Sequence, residues 1–100
     1  MSINSINTNP SFKGFIIMPI NTRTSASLDT NKILKIETRN NGDKTLITYD
    51  LPNQVRHNGY IYEEPSVFAV NYDINTILNA YNATKNTDLT VDLREYKKIN

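Results

Sequence analysis

The sequence predicts a small α+β domain, an antiparallel or mixed sheet of about five strands packed against one helix in the order β-β-β-β-α-β. Three observations carry that expectation. The pair Asn41-Gly42 sits between two runs of alternating apolar residues, which is the signature of a tight hairpin. Behind Asp73, the residues Ile74, Ile77, Leu78 and Tyr81 recur at i, i+3, i+4 and i+7, the apolar stripe of one helix. Leu89, Val91 and Leu93 then alternate with Thr90, Asp92 and Arg94, as a half-buried strand does.

The elements follow in chain order. Residues 1–11, MSINSINTNPS, are rich in serine and asparagine and are expected to be a tail. The domain is expected over 12–96, with a second short tail at 97–100. "FKGFIIMPI", residues 12–20, is apolar on both alternating faces, which suits a central strand or one covered at an interface. Gly14 within it suggests a bulge or a close backbone approach. Residues 21–31, "NTRTSASLDTN", are small and polar and are expected to be a mobile loop.

The register of the hairpin follows from its turn. With Asn41 and Gly42 as the turn, Thr38 faces Thr45, Ile36 faces Ile47 and Leu34 faces Tyr49 on one side. Lys35 then faces Thr48, Glu37 faces Leu46 and Arg39 faces Lys44 on the other. A slip of one residue would mix the two faces. Leu51-Pro52 is expected to end the second arm, and 53–59 to be a polar connection. Residues 60–71 read as one bent or bulged strand or as two short ones, with Pro65 favouring a sheet edge or a bulge. Asp73 is the expected N-cap of a helix over 74–85, with Ile77 and Leu78 in the core and Asn86 as its left-handed cap.

Composition narrows the function. A net charge of +1 argues against a nucleic-acid binder, which usually presents a basic face. The absence of cysteine removes disulfides, thiolate metal ligands and cysteine nucleophiles. One histidine and scattered carboxylates do not make a metal site, and no cofactor motif is present. The N-terminal residues have neither a basic nor an apolar signal region, and no apolar run reaches membrane length, so a cytoplasmic protein without a membrane partner is expected. Asparagine, isoleucine, lysine and tyrosine are abundant, which points to an A/T-rich gene of bacterial or phage origin.

The densest chemistry lies in "RHNGYIYEEP", residues 56–65. His57 has the side chain for a general base, but nothing in the sequence supplies a nucleophile or an orienting group, and its place before Asn-Gly suits an exposed turn. Glu63 and Glu64 are adjacent, so on a strand they point to opposite faces, poorly placed to flank one substrate and better suited to guard a sheet edge. Tyr60 and Tyr62 share a face and offer large rigid contact area with a polar tip. Arg56, His57, Tyr60, Tyr62, Glu63 and Glu64 are therefore the candidate binding residues, and no catalytic residue is expected. The function expected is a non-catalytic protein-interaction module, with a homodimer as one form of partnership. A phage- or mobile-element-encoded inhibitor or regulator of a host protein fits the size and composition. The alternative is a small-ligand or nucleotide binder, with 21–31 as lid and Arg56, His57, Tyr60 and Tyr62 as pocket.

Overall fold

Ile16 and Met18 are fully buried, and Phe15, Ile17 and Pro19 on the opposite side of the same strand are half-buried. That two-faced apolar strand, β1 (Phe15–Pro19), is central in its sheet, as its sequence predicts. A computed structural model of the chain describes residues 12–39 and 44–95. The Asn41-Gly42 turn, Tyr96 and the expected tails at 1–11 and 97–100 lie outside the described residues.

β1 pairs antiparallel with β2 (Ser25–Asp29) and parallel with β6 (Thr90–Asp92). The second sheet is an antiparallel meander of β3 (Ile33–Arg39), β4 (Lys44–His57) and β5 (Tyr60–Val70). The class is α+β as expected, but with six strands in two three-stranded sheets instead of about five in one. The extra strand is β2, within the segment expected to be a loop. Ala26 and Leu28 turn inward while Ser25 and Ser27 stay exposed, so the segment alternates after all. The loop proper is residues 20–24, closed by Asn21, whose side-chain oxygen accepts from the backbone N–H groups of Arg23 and Thr24. A 3-10 turn, Thr30–Lys32, then leads into β3.

Five pairs of the β3–β4 ladder, from Lys35↔Thr48 to Arg39↔Lys44, have the register that the apolar pattern predicts. The sixth differs. A bulge makes Ile33, not Leu34, the partner of Tyr49. Ile33 also caps the 3-10 turn, its N–H donating to the Thr30 carbonyl, so the turn fixes Ile33 inward. The extra residue is pushed out, and Leu34 is 56% exposed.

The helix α1 (Ile74–Thr84) starts at Asp73, whose carboxylate accepts from the Asn75 N–H at 3.0 Å. It ends one residue earlier than expected, with Lys85 as C-cap and Asn86 in the left-handed region at φ 58°. Its buried face is Ile77, Ala80 and Thr84. Leu78 is displaced to the rim, 36% exposed, and is not the core residue that the stripe suggests. The buried face thus runs along small residues toward the last turn, where the chain at Gly14 packs against Thr84. A Cβ at Gly14 would collide with the Thr84 carbonyl oxygen, so the close approach anticipated for this glycine is real. Beside it the Thr84 hydroxyl donates to the Ala80 carbonyl at 2.7 Å and accepts from the buried Thr30 hydroxyl at 2.7 Å.

The core joins both sheets and the helix: Ile16, Met18 and Leu28 from the first sheet, Ile33, Ile47, Tyr49 and Val70 from the second, and Ile77 and Ala80 from the helix. Tyr49 ties the sheets together, its phenol oxygen accepting from the Asp29 N–H at 2.9 Å. The last strand is shorter than the alternation suggests, because residues 93–95 tighten into a 3-10 turn that buries Leu93. Its carbonyl accepts from the buried Tyr72 hydroxyl at 2.7 Å. Burial, with the charge of Asp92 adding, raises the Tyr72 phenol above its ordinary value. The folded state thus keeps a proton that the unfolded chain releases near pH 10, and stability is expected to fall as pH rises beyond about 10. Urea midpoints measured from about pH 8 upward should show that decline, and Tyr72→Phe should flatten it. At neutral pH the same substitution should cost about 1 kcal/mol through the lost hydrogen bond. An alkaline limb of equal slope in the variant would assign it to other groups.

A projecting β-arm as candidate interaction surface

Sequence patterning expects β4 to stop at Leu51-Pro52 and 53–59 to be a connection. Instead β4 continues to His57, and Asn58-Gly59 is the turn of a long hairpin with β5. Both turn residues have positive φ, 53° and 84°, which is the type I′ geometry that Asn-Gly favours. The pairing runs Pro52↔Pro65, Asn53↔Glu64, Gln54↔Glu63, Val55↔Tyr62, Arg56↔Ile61 and His57↔Tyr60.

This distal half is an arm. β3 reaches only as far as the partner of Tyr49, so beyond it β4 and β5 have each other alone. Every residue from Asp50 to Pro65 is exposed except the half-buried Val55. Six residue pairs at about 3.4 Å rise make a projection of roughly 20 Å. The radius of gyration is 15.5 Å, above the about 13 Å of a compact chain of 100 residues. A register shift between Tyr49 and Pro52 marks the base, where two extra β4 residues are accommodated. The Ser66 hydroxyl braces it by donating to the Leu51 carbonyl at 2.8 Å.

All six candidate residues lie on this arm, and the register sorts them by face. Paired residues share a face and neighbours along a strand do not. One face carries His57, Tyr60, Tyr62 and Glu64 with Asn53 and Val55. The other carries Arg56 and Glu63 with Gln54, Ile61 and the two prolines. Glu63 and Glu64 thus point to opposite sides, as their adjacency requires. Tyr60 and Tyr62 are 67% and 49% exposed, with ring centroids 6.4 Å apart and planes tilted by 48°. Val55 and Ile61, which is 58% exposed, belong to the surface and were not among the sequence candidates. The signal that could have found them is the second Asn-Gly pair, read as a hairpin turn that sets the cross-strand register.

The arm presents charge without internal compensation. Ion pairs among the described residues join Lys13 to Asp29, Lys35 to Glu37 and Arg94 to Asp92, none of them on the arm. Among the described residues, no side chain is hydrogen-bonded to His57. Among the described residues no cluster of histidine and carboxylates could hold a metal ion. The helix is too short to cross a membrane. Clefts of about 360, 290 and 240 Å³ lie on the body and include no arm residue. The first of them is lined by Asn21, Thr22, Lys44, Asn71 and Tyr72 among others.

No family model matches the chain, and no curated protein or solved structure matches it at a significant level.

Proposed function

We propose that the protein is a non-catalytic interaction module that contacts a protein partner through the arm of residues 52–65. The observation that carries this reading is the exposed Tyr60–Tyr62 pair on a projection that adds nothing to the core. Large aromatics kept in water, away from any packing role, are what interface hot spots are made of. The flanking Arg56, Glu63 and Glu64 fit the polar rim of such a contact, where charges act mainly on association rate and salt dependence. A cytoplasmic setting, and a phage or mobile-element inhibitor acting on a host protein, accord with the size and the A/T-rich composition.

Capture of a binding partner with single variants tests this. Tyr60→Ala or Tyr62→Ala should weaken binding by about 2 kcal/mol, roughly 30-fold, if that tyrosine anchors the contact. His57→Ala should change stability by less than about 0.5 kcal/mol, as an exposed position does. An activity abolished by His57→Ala in an intact fold would replace this reading with catalysis. The small-ligand alternative has its best support in the cleft at Asn21, Thr22 and Lys44, where the Lys44 ammonium donates to Asn71 at 2.9 Å. A metabolite that raises the melting temperature, with Lys44→Ala abolishing the rise, would favour it.

A further inference from the structure

We propose that the arm docks on a second copy of this chain, with the Tyr60–Tyr62 faces opposed and the two arms antiparallel. The inference rests on the reading of the arm as a contact surface and names one occupant for it.

Edge-to-edge pairing is the obvious competitor, and the arm is built against it. In a two-residue hairpin the closing pair His57 and Tyr60 exchange both backbone hydrogen bonds, and alternation gives the same to Val55–Tyr62 and Asn53–Glu64. The outward backbone groups on β5 then belong to Ile61, Glu63 and Pro65, and on the β4 side to Arg56, Gln54 and Pro52. Each edge therefore meets a proline, without an N–H, at the base of the arm. An antiparallel β5–β5 edge pairing centred on Glu63 would also set the two Glu63 side chains opposite each other, and like charges across a strand pair repel.

The faces differ in how they match themselves. With a two-fold axis at the Val55–Tyr62 row, Tyr62 meets Tyr62 of the second copy and Val55 meets Val55. The Tyr60 hydroxyl meets the Glu64 carboxylate, which has no ion pair among the described residues, and His57 meets Asn53. The opposite face offers no such register: Ile61 falls on Glu63, or Arg56 on Arg56, or Glu63 on Glu63. Orientation follows from β5, whose alternation runs unbroken from Tyr60 to Val70. Tyr60, Tyr62 and Glu64 share a side of that strand with Phe68 and Val70, which pack on the core. The body of each copy thus stands on the tyrosine side of its own arm. Parallel arms would drive two bodies into one space, whereas antiparallel arms seat each tip at the base of the other.

The face is a strip of roughly 20 Å by 10 Å, well short of the about 800 Å² per partner buried in a standard interface. The pairing is weak and transient, as contacts below the standard size are, and it is sought between roughly 10 µM and 1 mM. Sedimentation velocity of the full chain across that range tests it, with circular dichroism to verify folding of each variant. The weight-average sedimentation coefficient should climb toward the dimer value. Tyr62→Lys should weaken association at least about 10-fold, since it opposes two like charges at the axis, and Ile61→Lys should keep the parent curve. A parent that stays monomeric at the top of the range overturns the pairing, as does equal loss in both variants. The two readings fail separately. A monomer whose captured partner is lost on Tyr62→Ala overturns self-docking alone, whereas a partner retained by both tyrosine variants overturns the contact surface itself.

Discussion

Ile77→Ala is expected to destabilise the fold by about 2–5 kcal/mol, because the lost transfer energy and the cavity left behind add. Ile77 has no exposed surface and lies on the helix face that meets both sheets. Against a total stability of about 5–15 kcal/mol for a domain of this kind, that is a severe lesion. The neighbour makes the control. Leu78 has the same standing in the apolar stripe but lies at the rim beside Leu34, so Leu78→Ala should cost about 1 kcal/mol. Urea denaturation of the two variants separates them, and equal losses would show that the helix is rotated from the position described.

Gly14→Ala should be at least as damaging for a single methyl group. The added carbon would run into the carbonyl oxygen and carbon of Thr84, which are backbone atoms in the last helical turn and have no rotamer to change. Relief requires the chain at Gly14 to move from the helix. That movement would pull on Thr30, whose N–H donates to the Gly14 carbonyl at 2.9 Å and whose hydroxyl holds Thr84. Overpacking of this sort costs about 3 kcal/mol or more when the neighbours are rigid. At about 4–8 °C per kcal/mol, the melting temperature should drop by more than about 12 °C. A drop of only a few degrees would mean that the contact between Gly14 and the helix end is looser than its geometry implies.

The parts of the fold that were legible in the sequence are those where burial imposes a period. Ile36, Thr45 and Ile47 alternate because one face of their sheet is covered, and that alternation carries the β3–β4 register out to the exposed Thr38. The pattern alone places Leu34 inward, because a bulge leaves no local trace; its cause is the 3-10 turn upstream, which sets the phase of Ile33. β2 was hidden by small residues, since Ala26 and Leu28 bury too little among Ser25, Ser27 and Thr24 to stand out. The apolar stripe points to Leu78, but the buried face runs through Ala80 and Thr84, small residues that carry no hydrophobic signal and that pack where Gly14 approaches the helix end. The parallel pairing of β1 with β6 joins residues some seventy-five apart, and no local pattern encodes it.

The candidate site divides in the same way. Its residues were found by chemical richness alone, and that the two glutamates diverge followed from strand geometry. The arm was invisible because neither of its faces is buried against the body, so it carries no period to read. The faces, and with them the roles of Val55 and Ile61, become definite only once Asn58-Gly59 is known to be a turn.

The division of labour between a body that folds and an arm that binds is tested most directly by removing the arm. Residues 52–65 would be replaced with a short Gly/Asn loop, and binding of the captured partner measured for that chain, with a thermal melt as the folding control. The expected result is a chain that melts close to the parent, because the arm contributes no residue to the core, yet binds with no measurable affinity. A folded, arm-less chain that binds as the parent does would contradict it and place the contact on the body.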